Sequence, residues 1–219
     1  MLPWTHIDTV LLDLDGTLLD LAFDNDFWLD HVPAAYAAAQ SLTLEQARAS
    51  LTPRFRAYEG TLAWYCIDHW SRELGLDIEA LKRGRAGQIA WLPGAREFLA
   101  RVRGAGKRLV LLTNTHPQVL RLKDEQLGIG RYVDAAISSH AFGVPKESPR
   151  FWERVRAVEP FDPGRSLFLD DNTAVLRAAH AAGIRWVYGV RRPDSRRSAR
   201  DHGELPAVDA VSDLCCGIP

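Results

Sequence analysis

Short runs of branched apolar residues, separated by stretches with helical spacing, constrain this chain more than any other feature. Thr9 to Leu14, Arg108 to Leu112, Ala135 to Ser138, Ser166 to Leu169, Trp186 to Val190 and Val208 to Val211 are too short for buried helices. They read as strands covered on both faces. Helical patterns such as Gly94 to Arg103 and Asn172 to Gly183 lie between most of them. Buried strands alternating with helices build βαβ units, so the expected fold is α/β with a doubly wound parallel sheet.

One gap interrupts this rhythm. From about Leu21 to Leu92 nothing reads as a strand, and the composition turns to Ala, Leu, Glu, Arg and aromatics. The spacing predicts a helical insertion after the first strand, with Pro93-Gly94 marking the return to the sheet. The expected organisation is an α/β core over residues 1–20 and 93–219 and a helical domain over residues 21–92.

At 219 residues and 47% hydrophobic, the chain can bury a core without staples. Lys and Arg number 27 against 28 Asp and Glu, a balance that argues against a nucleic-acid or anionic-membrane partner. Cys66 stands alone and Cys215 and Cys216 are adjacent, with no metal-ligand spacing, so no disulfide framework is expected. The N-terminus lacks the features of a signal peptide, and no apolar run approaches the roughly 18 residues needed to cross a bilayer. The expectation is a cytoplasmic protein.

In doubly wound sheets, ligands bind at the carboxyl ends of the strands. Those ends carry Asp13-Leu14-Asp15-Gly16-Thr17, Thr113-Asn114 and Asp170-Asp171-Asn172, with Lys146 beyond the third strand. Each piece alone has a plain structural reading. Asp-Gly is a turn, Asp170 to Asn172 suits a helix N-terminus, and most lysines are solvated. Their joint occurrence at successive strand ends is the functional signal. Four carboxylates converging on one crevice repel one another unless a cation joins them. A hard divalent ion with oxygen ligands answers this need, and Mg²⁺ suits few carboxylates plus a substrate phosphate.

Asp13-x-Asp15-Gly-Thr17, Thr113-Asn114, Lys146 and Asp170-Asp171 together resemble the signature motifs of the haloacid dehalogenase-like hydrolase superfamily. The insertion is similar to that superfamily's helical cap. Glu147 stands where a proline is frequent, and Val175 where a further acid sometimes occurs. LLDLDGTLLDLAFDNDFW, WYCIDHWSRELGLDI, LLTNTHP and FGVPKESPRFW resemble a bacterial purine nucleotidase group acting on GMP and IMP.

The resemblance implies a Mg²⁺-dependent phosphomonoesterase acting on a nucleoside monophosphate. It implies Asp13 as nucleophile and Asp15 as acid and then base. Asp13, the Asp15 main-chain carbonyl and Asp171 would hold Mg²⁺; Thr113, Asn114 and Lys146 would bind phosphate; Asp170 would orient Lys146 or a metal-bound water. A sugar-phosphate phosphatase or phosphomutase shares these groups, and a catalytically silent binding protein could share the fold. A dehalogenase has no use for the acid Asp15.

The insertion supplies candidate substrate contacts. Read as one helix from Thr61 to Leu74, the segment projects Trp64 and Asp68 away from its main apolar stripe, where they could stack on a purine and bind its edge. Packing inside the cap is an equally good reading of Trp64. Asp24 and Asn25 lie within reach of a nucleoside and serve equally as helix N-caps. The basic run from Arg191 to Arg200, broken by Pro193 and Asp194, reads as a solvated loop. His116 reads as a loop histidine near the crevice mouth.

Overall fold

A computed structural model describes residues 2–218. The sheet contains β1 (Thr9–Leu12), β2 (Arg108–Thr113), β3 (Ala135–Ser138), β4 (Ser166–Asp170), β5 (Trp186–Val190) and β6 (Ala207–Val208). Its six strands run in the order β3-β2-β1-β4-β5-β6, every pair parallel. All residues of β1 and β4 are buried, as expected of strands covered on both faces. β1 stops two residues before the expected Leu14, and the last strand covers Ala207–Val208 rather than Val208 to Val211. In both places the strand stops at an aspartate, Asp13 or Asp209, with apolar residues beyond it that continued the apparent run.

Two hydrophobic clusters sandwich the sheet. Val10, Leu12, Phe98, Leu99 and Leu111 centre one, and Leu11, Val110, Phe151, Trp152 and Phe168 the other. Side-chain alternation along each strand sends neighbours to opposite faces. The helices over these faces are numbered below from α6 (Ala95–Gly104), α7 (Pro117–Leu127), α8 (Pro149–Val158) and α9 (Thr173–Ala181), because five precede them in the insertion.

Those five are α1 (Ala22–Asp26), α2 (Val32–Gln40), α3 (Leu44–Tyr58), α4 (Ile67–Leu74) and α5 (Ile78–Arg83). α1 and α2 are joined by a π turn over Phe27–His31. Pro33, just past that turn, lacks an N–H, and its ring would meet the Leu29 carbonyl in an unbroken α-helix; the wider turn accommodates it. The insertion has its own core of Phe27, Val32, Leu51, Ile67, Trp70 and Ile78, joined by Val119 of α7.

The expected helix from Thr61 to Leu74 is two pieces. A 3-10 turn spans Leu62–Tyr65, and Cys66 (φ −93°, ψ 108°) breaks the chain before α4. The break follows from an anchor outside the segment, because Tyr65 Oη donates to Glu147 Oε1 at 2.7 Å and holds the turn against the sheet.

The insertion leaves and rejoins the sheet at one place. Asp20 N–H donates to the Ala90 carbonyl at 2.9 Å and Leu92 N–H to the Leu18 carbonyl at 2.9 Å, with Leu19 and Trp91 paired antiparallel.

Candidate active site

β2, β1 and β4 are neighbours, so their carboxyl ends open onto one crevice of about 310 Å³. Asp13 leaves β1 with its N–H on the Leu169 carbonyl at 2.9 Å. The chain then turns sharply at Gly16, φ +90°, where a Cβ would come within 2.6 Å of Asp171 Cγ. Only glycine permits both that backbone and that approach.

Lys146 is buried at the centre. Its Nζ donates to Asp13 Oδ1 at 2.5 Å, Asp170 Oδ2 at 2.7 Å and the Leu112 carbonyl at 3.0 Å. Burial works against the ammonium, but Asp13 and Asp170 outweigh it and hold the Lys146 pKa above the ordinary lysine range. Burial pushes the carboxylates up: Asp13 to about 7, Asp170 to about 6 and Asp171 to about 7. Lys146 opposes the rise at Asp13 and Asp170, and Arg200, whose Nη1 donates to Asp171 Oδ2 at 2.5 Å, opposes it at Asp171.

These carboxylates suit a hard cation. Oxygens of Asp13, Asp170 and Asp171 lie within 4.8 Å of one another. Both oxygens of Asp170 are engaged, by Lys146 and by the Asn172 N–H. Among the described residues no donor reaches Asp13 Oδ2 or Asp171 Oδ1, so one open oxygen on each is left for a metal. Around the crevice five carboxylates (Asp13, Asp15, Asp24, Asp170, Asp171) face four cations (Lys82, Lys123, Lys146, Arg200). A divalent ion arriving with a phosphate dianion leaves that balance unchanged.

Asp15 is held from another direction. Thr115 Oγ1 donates to its Oδ2 at 2.5 Å and Lys123 Nζ to its Oδ1 at 2.6 Å. Lys123, on α7, also donates to Asp24 Oδ2 at 2.7 Å, and Lys82, on α5, to Asp24 Oδ1 at 2.5 Å. A charge chain Asp15–Lys123–Asp24–Lys82, its lysines buried and its aspartates half-buried, therefore joins the sheet to the insertion. Despite burial, the two lysines hold the Asp24 carboxyl well below the usual carboxylate range, and Asp15 and Asp24 hold Lys123 above the lysine range.

Residues 7–183 match the family of haloacid dehalogenase-like hydrolases. The chain belongs to that family. It is 39% identical to the GMP/IMP nucleotidase YrfG of Escherichia coli over 95% of this chain and 94% of that one. It is 27% identical to a phosphoglycolate phosphatase of Mesorhizobium japonicum over 80% of this chain and 79% of that one. A haloacid dehalogenase-like (HAD) phosphatase structure from Thermococcus onnurineus superposes with a TM-score of 0.78 at 19% identity, covering 95% of this chain and 96% of that one.

Several side chains stand differently from the expectation that the hydrolase motifs set. Asn114 was expected on phosphate, yet its side chain is already committed: Oδ1 accepts the Lys146 N–H at 2.9 Å and Nδ2 donates to Glu147 Oε2 at 2.9 Å. Both polar atoms of the side chain are thus drawn toward Lys146 and Glu147, which turns it from the phosphate-binding role expected of it. Thr113 Oγ1 accepts the Thr115 N–H at 3.0 Å, which leaves its own proton to give.

Asp24 and Asn25 line the crevice but cap no helix; the Asp20 carboxylate takes the Ala22 N–H at 3.0 Å instead. Both Asp24 oxygens are occupied by lysines, and Asn25 Nδ2 donates to Asp194 Oδ2 at 2.6 Å. Asp24 is thus committed to the lysines, whereas Asn25 keeps its Oδ1 and one N–H toward the crevice. Trp64 lines the crevice and also packs edge-on against Phe55 and Trp70, which is the packing reading of it. Asp68 lies outside the crevice lining with its side chain 63% exposed, 3.6 Å from His116 Nε2. The break at Cys66 is what separates it from Trp64.

Five side chains escaped the sequence reading. Lys123 sits on an amphipathic helix where lysine usually means solvent. Thr115 directly follows the Thr113-Asn114 motif. Arg200 lies in the basic run read as a solvated loop, and Asp194 of that run is buried. Glu147 replaces a frequent proline and joins Asn114 to Tyr65.

Replacing Lys123 by Met keeps the stem and removes the buried cation between two half-buried carboxylates. Breaking a buried pair from one side costs about 3–5 kcal/mol. Lys123→Met is expected to lose about that much in denaturant unfolding, and Lys82→Met less, because Lys123 still holds Asp24. Equal losses in the two variants would show that the Asp15 contact adds nothing.

Proposed function

We propose that this hydrolase is a Mg²⁺-dependent phosphomonoesterase acting through an aspartyl-phosphate, with a purine nucleoside 5′-monophosphate as substrate. The observation that carries this reading is the split polarity of the crevice. Its floor gathers Asp13, Asp15, Thr113, Lys146 and Asp171, whereas Trp28, Phe55 and Trp64 stand in its wall. Such a floor suits a phosphoryl group, and flat ring faces suit a base. The relative named as a GMP/IMP nucleotidase matches across nearly the whole chain, insertion included.

In the proposed reaction the Asp13 carboxylate attacks phosphorus while the leaving ribose oxygen takes a proton from Asp15. Asp15 then removes a proton from the water that hydrolyses the aspartyl-phosphate. Lys123 and Thr115 hold the Asp15 carboxylate in place for both steps. Lys146 stands beside Asp13 and offsets charge on the transferring phosphoryl, and the free Thr113 proton donates to one of its oxygens. Asp13, the Asp15 carbonyl and Asp171 would hold Mg²⁺, which supplies positive charge opposite the phosphoryl oxygens. Asp170, saturated by Lys146 and Asn172, orients the lysine. Residues 21–92 act as a cap over a core of residues 1–20 and 93–219, whose outermost positions, 1 and 219, lie outside the described residues.

Phosphate release from IMP, GMP, pyrimidine nucleotides, sugar phosphates and a small generic phosphoester, with Mg²⁺ or with chelator, tests the reading. IMP and GMP should lead, and chelation should abolish release. Trp64→Ala should lower turnover of purine monophosphates about tenfold, in keeping with the ~1–3 kcal/mol of base stacking, and spare the generic ester. Sugar phosphates outrunning every purine nucleotide would sink the substrate assignment and leave the phosphatase standing. Undiminished release in chelator would remove the metal.

A further inference from the structure

A second group of ligating side chains lies at the mouth of the crevice, apart from the aspartates. One ligand atom each from Cys66, His116 and His140 falls within 4.8 Å of the other two. The three come from separate parts of the chain. Cys66 is the break before α4 in the insertion, His116 follows β2, and His140 lies in the turn after β3. The linear sequence therefore shows no ligand spacing.

The two imidazoles meet edge to face with centroids 4.9 Å apart. His116 Nδ1 and His140 Nε2 are both buried without a hydrogen-bond partner among the described residues. A buried ring nitrogen left unpaired is costly, and two that share one small space call for a common acceptor of their lone pairs. On its other side, His116 turns Nε2 toward Asp68 Oδ2 at 3.6 Å, and His140 is hydrogen-bonded to the Asn114 backbone. Outer contacts of this kind fix which nitrogen of a ligating histidine stays open. Cys66 Sγ sits at the start of α4, accepting the His69 N–H at 3.4 Å, and the Tyr65–Glu147 hydrogen bond next to it pins the segment to the sheet.

We propose that Cys66, His116 and His140 form a binding site for a borderline transition-metal ion, Zn²⁺ by the chemistry of its donors, that ties the insertion to the sheet at the crevice mouth. One thiolate and two imidazoles are a common zinc donor set with a fourth position left to water. Zinc–ligand lengths put tetrahedral donors roughly 3.5 Å apart, so the three atoms, all within 4.8 Å of one another, need close by no more than about 1.3 Å. Cys66 binds as thiolate and its proton passes to solvent. Because His116 also lines the crevice, an ion here restrains the insertion beside the opening through which substrate enters and product leaves, so zinc inhibits turnover. This site is distinct in kind from the aspartate cluster, whose hard oxygens prefer Mg²⁺.

Cobalt(II), a spectroscopic stand-in for zinc, tests the proposal in the presence of saturating Mg²⁺, which fills the aspartate site. One equivalent should produce a thiolate-to-cobalt charge-transfer band, and zinc should displace it. Cys66→Ser should abolish the band, and His140→Ala should weaken cobalt binding by about tenfold or more. A variant with Cys215→Ser and Cys216→Ser should keep the band, and His140→Gln stands in if the alanine variant does not fold. Micromolar zinc should slow phosphate release by the wild type and much less by Cys66→Ser. The proposal fails if the wild type gives no band, if the band survives Cys66→Ser, or if zinc inhibits all variants alike.

Discussion

Asp13→Asn is expected to abolish phosphate release while leaving the melting temperature unchanged or higher. The opposite signs have one cause. Asp13 is a nearly buried carboxylate whose pKa burial pushes up to about 7, so its charge is expensive to keep in the fold. Asparagine keeps the shape and an acceptor for Lys146 but removes the nucleophilic oxygen. Loss of a nucleophile costs at least about three orders of magnitude in turnover. Lys146 retains Asp170 as its partner, so the variant leaves no buried ammonium alone. Initial rates and thermal melts on one preparation check both signs. A folded variant with wild-type rates would rule out covalent catalysis by Asp13.

Lys146→Met should be the most damaging single change to stability. It strips a cation from two buried carboxylates and a donor from the Leu112 carbonyl, at a cost of about 3–5 kcal/mol. The loss should depend on pH in an unusual direction. Asp13 and Asp170 already titrate above an ordinary carboxylate, at about 7 and about 6, and without Lys146 both rise further. A folded-state pKa above the unfolded one means that the folded protein binds protons more readily, so stability falls as pH rises between the two values. The variant's deficit should therefore be small near pH 4.5 and grow through pH 7 and beyond. Denaturant unfolding in chelator at several pH values measures it, and a deficit that grows toward acid would show that Lys146 does not serve these carboxylates. Turnover at neutral pH should vanish as well, because a protonated Asp13 is no nucleophile.

Much of this arrangement could be read from the sequence, and what escaped did so for identifiable reasons. Buried strands announce themselves through composition, and a parallel sheet sends its carboxyl ends to one side, so Asp13, Asp15, Thr113, Lys146 and Asp170–Asp171 could be gathered without coordinates. Lys123 could not. Its burial depends on meeting Asp15 and Asp24, which lie about a hundred positions away along the chain. Arg200 was hidden for the same reason, since a charge run looks solvated until a carboxylate from another strand end is found beside it. The helix from Thr61 to Leu74 failed in a third way. Its periodicity is sound on both sides of Cys66, and the break is imposed by the hold of Glu147 on Tyr65. Local pattern is blind to such tethers. It was equally blind to the meeting of Cys66, His116 and His140.

The paired backbone at Leu18–Asp20 and Ala90–Leu92 bears on what this sheet can host. A loop costs entropy according to how far apart its ends must be brought and how many residues they confine. Here the two ends are already adjacent and hydrogen-bonded, so the sheet sees a short turn however long the excursion beyond it. Lengthening, shortening or exchanging the piece between those bridges leaves the strand register where it was, and the floor of the crevice with it so long as Asp24 is kept to share Lys123 with Asp15. On the function proposed above, a graft between Asp20 and Ala90 that retains Asp24 is expected to change the ligand accepted while the strand ends keep their places.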